Sequence, residues 1–204
     1  MKLTELPYRT LAIVRGSDRV AALRTVLTLA EEGITAAEVS LTTTDALWVI
    51  EQARRELDPQ ALLGAGTVLT SDDAARATDA GAGFLVTPGV VEDLSTALPV
   101  LMGVLTPTEI MTATRRGALA VKLFPASIGG PAYLSSLRAP FPDVPFVPVG
   151  GVDAPTALAY LSAGAVAVGV GSPLIGDAAD GGDLNALRTR AAQWRTALAE
   201  AVTA

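Results

Sequence analysis

The chain has 204 residues, room for one domain with a sizeable core, and half of its residues are hydrophobic against 18% charged. Cysteine and histidine are both absent, which excludes disulfides, thiol catalysis, thiolate metal sites, Ser-His-Asp triads, imidazole acid–base chemistry and His-ligated zinc. The net charge of −6 argues against a general nucleic-acid surface, although local Arg side chains and helix N-termini can still hold a small anion.

Any catalysis must therefore run on carboxylates, Lys, Arg, hydroxyls, Tyr and backbone. No apolar run approaches the roughly 18 consecutive residues of a membrane span, and "MKLTELPYRT" has none long enough for a secretory signal. A chain that begins here and works in the cytoplasm, away from membranes, is expected.

Along the chain one pattern recurs: a short β-branched run, a turn, then an amphipathic helical stretch. "LAIV" (11–14) leads to a helix from about Ser17 to Glu31, and "AAEVSL" (36–41) leads to "DALWVIEQARREL". "ALLGAG" (61–66) precedes "SDDAARATDAG", and "FLVTPG" (84–89) precedes "VVEDLSTAL". "PVLMGV" (99–104) leads to "PTEIMTATRRG", and the strand at 118–124 leads to a helix near "PAYLSSLR". "PFVPVGG" (145–151) precedes "APTALAYLSAG", and "AVAVGVGS" (165–172) precedes a long C-terminal helix. Near-continuous apolar strands alternating with helices predict a parallel sheet covered by helices. Eight such units over residues 1–204, without linker or low-complexity tract, predict an α/β fold of one domain, a single TIM (β/α)8 barrel. An open doubly wound sheet is the alternative.

Several conspicuous features have structural readings. "TPTE" (106–109) reads as a helix start, with Thr106 as N-cap, Pro107 in the first turn and Glu109 closing a capping box. "VDAP" (152–155) caps with Asp153. Trp48 and Trp194 lie on helices and read as packing, and the Arg pairs at 54–55 and 115–116 read as solvated helix ends.

In a barrel, chemistry sits where strands end and βα loops begin. Those ends carry Arg15, Glu38, "GAGT" (64–67), "TPG" (87–89), Lys122 with Phe124 and Pro125, "VGG" (149–151) and "GVGS" (169–172). Of the 15 basic residues only Lys2 and Lys122 are lysines, and Lys122 stands inside an apolar strand. Arg cannot lose its proton near neutrality, whereas a desolvated Lys can. Lys122 reads as a Schiff-base nucleophile whose neutral amine attacks a ketone, the resulting imine acting as an electron sink. The structural alternative is a Lys neutralised by a carboxylate or snorkelling outward.

Glu38 alternates with apolar residues in the second strand and is either a static ion pair with Lys122 or a general acid/base beside it. The glycine turns of the last two units, with Ser172, read as a phosphate site, or as tight turns that need positive φ.

These residues resemble the 2-keto-3-deoxy-6-phosphogluconate and 6-phosphogalactonate aldolases, a family that includes 4-hydroxy-2-oxoglutarate aldolase. The resemblance runs from "AIVRG" through "AEVSL", "LLGAGTVL", "FLVTPG", "VKLFPAS" and "FVPVGGV" to "GVGS". It implies a class I aldolase on a TIM barrel, commonly a homotrimer. Such an enzyme needs no metal and no dissociable cofactor, and it cleaves a phosphorylated keto acid to pyruvate and glyceraldehyde 3-phosphate. Position by position, it makes Lys122 the imine lysine and Glu38 the acid/base. Thr67 then holds the pyruvate carboxylate between Pro88 and Phe124, and Gly150, Gly151, Gly171 and Ser172 bind phosphate. Arg15 matches an "R-G" of the galactonate-type members, with an anion-binding or catalytic role.

The chain also departs from the family. Gluconate-type members commonly read E-V-T-L-R-T, whereas this chain has "EVSLTT", with Thr42 in place of the Arg. Val149 before the "GG" follows the galactonate type, and Met102 stands where Pro is frequent. An isomerase or epimerase using Lys122 and Glu38 only as acid and base is a second reading. A catalytically silent barrel is a third.

Overall fold

The computed structural model describes residues 1–199. Eight parallel strands run in the order β7-β6-β5-β4-β3-β2-β1-β8. They are β1 (Thr10–Val14), β2 (Ala36–Ser40), β3 (Leu62–Gly66), β4 (Leu85–Val86), β5 (Val100–Val104), β6 (Ala120–Leu123), β7 (Phe146–Pro148) and β8 (Val168–Val170). The two ends of this sheet meet through a parallel bridge between Val149 and Gly169 and a 3.0 Å bond from Val166 N–H to the Phe146 carbonyl. The sheet is therefore a barrel whose last seam is short, as the βα alternation predicts.

The helices that cover it are α1 (Arg19–Glu31), α2 (Ala46–Glu56), α3 (Ser71–Asp79), α4 (Pro107–Arg115), α5 (Gly130–Arg138), α6 (Ala154–Ser162), the single turn α7 (Ser172–Ile175) and α8 (Leu184–Leu198). Their starts are written locally. Asp18 caps α1 by accepting from the backbone of Val20 and Ala21. Thr70 with Asp73, and Thr106 with Glu109, form reciprocal capping boxes on α3 and α4, and Asp153 caps α6. Each cap satisfies amides that the first helical turn leaves without a partner.

One expected element is missing. "VVEDLSTAL" forms turns, not a helix, between β4 and β5. A nine-residue stretch is too short to hold a helix on propensity alone, and tertiary contacts give this one another shape. Ser71 Oγ donates to the Asp93 carbonyl and accepts from Ser95 N–H, pinning the segment to the start of α3. Val90, Leu94 and Leu98 still pack on the core, so the apolar side chains are sheltered without helical geometry.

The core has two parts. A large cluster fills the space between barrel and helices. A smaller one, including Leu11, Phe84, Leu101 and Val147, is joined by Leu3 and Leu6 of the N-terminal leader. Trp194 is buried and donates from Nε1 to Thr10 Oγ1 at 2.9 Å, while Trp48 is half-buried beneath the Arg19 guanidinium, 4.7 Å from its centroid. The Arg pair at 54–55 is more than a solvated helix end. Arg54 donates to the carbonyls of Leu57, Asp58 and Ala61, tying the end of α2 to the approach to β3. Arg55 pairs with Glu51 on the surface.

Candidate active site

β2 and β6 each place one ionisable side chain in an otherwise apolar wall. Glu38 is 2% exposed and Lys122 is 6% exposed. Lys122 Nζ lies 4.0 Å from Glu38 Oε1, and Glu38 Oε2 has no hydrogen-bond partner. Glu38 stands beside Ile13 of β1 and Gly64 of β3, whereas Lys122 stands beside Gly103 of β5 and Val147 of β7.

Glycines leave room for Glu38 and for the Pro88 backbone that approaches β5 next to Lys122. A Cβ on Gly66 would lie 2.8 Å from the Glu38 carboxyl, and one on Gly103 would lie 2.2 Å from the Pro88 carbonyl carbon. Burial raises the Glu38 carboxyl above its ordinary pKa, and the charges of Lys122 and Arg15 pull it back toward ionisation. A buried carboxyl beside an amine and not tied up by hydrogen bonds is placed to pass protons as well as to neutralise charge.

Above the pair opens a cavity of about 560 Å³. Arg15, Thr67, Pro88, Lys122, Phe124, Gly150, Gly151, Gly171 and Ser172 all line it, so these sequence candidates come together at one mouth. Glu38 lies next to Lys122 and is not itself a lining residue. Phe124 follows Lys122 by two residues and sits with its ring centroid 5.1 Å from Nζ. Gly150 and Gly151 have φ of 97° and 75°, a backbone that L side chains rarely adopt. There the tight-turn reading of the glycines holds, and it coexists with their place on the cavity wall.

The structure adds a hydroxyl cluster that the sequence reading did not assemble. Ser40, 1% exposed, lies two residues beyond Glu38 and so faces the same side of β2. Its Oγ is 2.7 Å from Thr67 Oγ1 and 2.8 Å from Thr42 Oγ1, and it accepts from Arg15 Nε at 3.4 Å. Thr67 reaches this cluster with φ at 60°, a costly region for a β-branched residue. Thr42, where an Arg would stand in gluconate-type members, thus contributes a hydroxyl to a shared network. The period-2 spacing from Glu38 was the signal that could have found Ser40.

Asp180, also unanticipated, lines the same cavity. Its Oδ1 accepts from Ser17 N at 2.7 Å and Ser17 Oγ at 2.8 Å. No group of three or more His, Cys, Asp or Glu side chains is close enough to hold a metal among the described residues. No described helix is long and apolar enough to cross a membrane.

The chain resembles known proteins along most of its length. Residues 2–189 match the family model "KDPG and KHG aldolase". A 2-dehydro-3-deoxy-phosphogluconate aldolase of Pseudomonas aeruginosa is 43% identical over 140 residues, 66% of this chain and 63% of that enzyme, a little under two thirds of its length. A probable 2-dehydro-3-deoxy-6-phosphogalactonate aldolase of Rhizobium meliloti is 35% identical over 85% of each chain. Among solved structures, a native KDPGal structure superposes with a TM-score of 0.89 at 30% identity, covering 98% of both chains.

Proposed function

The chain belongs to the KDPG and KHG aldolase family, and from that premise we propose that it is a class I lyase. Its substrate is a 2-keto-3-deoxy-6-phospho sugar acid of the gluconate or galactonate type, cleaved to pyruvate and glyceraldehyde 3-phosphate. The shorter 4-hydroxy-2-oxoglutarate is cleaved by the same chemistry. The observation that carries the proposal is the buried Lys122–Glu38 pair, 4.0 Å apart at the cavity.

Lys122 Nζ adds to the C2 ketone, and Glu38 passes the proton that lets the carbinolamine lose water. The iminium draws the electron pair of the C3–C4 bond into an enamine as the C4 hydroxyl gives up its proton, and the aldehyde departs. Protonation at C3 and hydrolysis return pyruvate and the free amine. The lysine imine is itself the electron sink, so the reading requires no metal or dissociable cofactor.

Thr67, with Ser40 and Arg15 behind it, holds the carboxylate, and Pro88 and Phe124 wall the three-carbon unit. Backbone amides at Gly150, Gly151 and Gly171, with Ser172, receive the phosphate. Family membership weighs against the isomerase and silent-barrel readings.

The protein acts as a single barrel domain in the cytoplasm and assembles as a homotrimer. Exposed apolar side chains at Leu69, Met111 and Ile128 support a subunit interface, and light scattering on the purified protein checks the trimer. For the chemistry, pyruvate and borohydride are added and intact mass and peptide maps are recorded. A reduced pyruvyl adduct on Lys122 is expected, and folded protein without an adduct refutes the imine mechanism.

A further inference from the structure

The charges lining the cavity are unevenly placed. Its charged lining residues are Arg15, Lys122 and Asp180. Lys122 stands at the centre on β6. Arg15 follows β1, but its Nε donates across to Ser40 on β2, so this cation faces the hydroxyl cluster at the β2–β3 side. The remaining charged lining residue is Asp180, an anion in the segment that follows Gly171 and Ser172.

Asp180 is also held in place. It ends a 3₁₀ turn, Ala178–Asp180, and Oδ1 takes both hydrogen bonds from Ser17 in the β1–α1 turn. That turn presses on its neighbour so closely that a Cβ on Gly16 would lie 2.0 Å from the Ala179 carbonyl oxygen. The carboxylate cannot swing away without breaking its two bonds to Ser17.

A keto acid with its carboxylate on the Arg15 side and a neutral tail on the Gly171 side matches this field. A phosphate dianion on the Gly171 side meets amide donors and, in the same cavity, a fixed negative charge. We propose that Asp180 is a specificity-determining residue that weakens the hold on a terminal phosphate, so that this aldolase takes hydroxyl-ended 2-keto-3-deoxy acids alongside phosphorylated ones. The inference rests on the aldolase reading above and deepens it by naming the substrate class.

The test is Asp180→Asn, which keeps an oxygen for Ser17 and removes the charge. Aldol addition of pyruvate is measured with glyceraldehyde 3-phosphate and with glyceraldehyde, for wild type and variant, at low and at 0.5 M salt. The ratio of kcat/KM for the phosphorylated over the plain aldehyde should rise about three- to tenfold in the variant at low salt. The gain should shrink at high salt, because an exposed charge is screened there. A ratio that stays constant overturns the inference, whether both rates fall together from a loosened loop or neither moves. A ratio that falls also overturns it, since the carboxylate would then be helping the phosphate to bind.

Asp180→Ala, which loses the Ser17 bonds as well, separates the two effects. If charge governs selectivity, its ratio rises as in the Asn variant even where both rates drop. If the ratio rises only in the Ala variant, loop anchoring and not charge is responsible, and the inference fails. The borohydride adduct on Lys122 is recorded in the same preparations. An adduct with an unmoved ratio sinks this inference alone, whereas no wild-type adduct sinks the aldolase reading beneath it.

Discussion

Gly66 offers a way to move Glu38 without changing its chemistry. In Gly66→Ala the new Cβ would stand 2.8 Å from both Cδ and Oε1 of Glu38 and 3.1 Å from Oε2. Ordinary van der Waals contact begins near 3.4 Å, so the carboxyl must retreat by about 0.6 Å from a residue that is 2% exposed. Misplacing a catalytic group by about 1 Å costs on the order of a hundredfold in rate. A shift of roughly 0.6 Å should then lower kcat about ten- to a hundredfold, or ~1.4–2.7 kcal/mol of barrier. Overpacking costs about 1–3 kcal/mol of stability, partly offset by the ~0.4–1 kcal/mol that alanine gains by restricting the unfolded chain.

The assay pairs steady-state cleavage with urea unfolding. Gly83→Ala is the control, because its Cβ meets only the Leu63 carbonyl oxygen at 3.6 Å and its φ is unremarkable; kcat there should stay within about twofold of wild type. A stably folded Gly66→Ala enzyme at the wild-type kcat would refute the claim that Glu38 must sit where it does.

Three further outcomes are expected. Lys122→Arg keeps a charge beside Glu38 but has no attacking amine, so the pyruvyl adduct and turnover should both vanish while the circular dichroism spectrum persists; residual wild-type cleavage would exclude the imine mechanism. Thr67→Gly releases a β-branched residue from φ 60°, so thermal unfolding should move up by about 1 kcal/mol equivalent while KM for the keto acid rises several-fold through the lost hydroxyl; unchanged KM would remove Thr67 from carboxylate binding. Burial alone would raise the Glu109 carboxyl, but hydrogen bonds from Leu105 N–H and from the backbone and hydroxyl of Thr106 outweigh it and hold its pKa below the ordinary 4.5. A depressed carboxylate contributes stability above its unfolded value and loses it as pH falls through the folded one. Glu109→Gln should therefore cost about 0.5–1 kcal/mol at pH 7, with the gap narrowing below pH ~4 in urea titrations; a gap that widens in acid would contradict the cap assignment.

Much of the barrel was legible because its signals are local. Strands such as "ALLGAG" are apolar on both faces, and caps such as Thr106 with Glu109 require only neighbours three residues away. The fourth unit misled for the same reason. Val90, Leu94 and Leu98 have helical spacing, but whether they form a helix is decided by Ser71, some twenty residues earlier, which holds Asp93 and Ser95 in a turn. Arg54 was misread similarly, since its carbonyl partners lie in a loop whose path the sequence does not display.

The candidate site divides along the same line. Lys122 and Glu38 could be picked out singly, because a charge in an apolar strand is costly unless something repays it, and βα topology brings both strand ends to one mouth. Asp180 could not. It sits in "GDAADGGD", among acids that look like a solvated turn, and only the fold carries that turn onto Ser17 and the cavity wall. Buried charges betray themselves by local incongruity, whereas a rim charge looks ordinary in any window of sequence. Substrate selectivity, set at the rim, is therefore harder to read than reaction type, set in the core. The same reasoning explains why the imine test should be decided at Lys122 and the phosphate test at Asp180, with the second result leaving the first untouched.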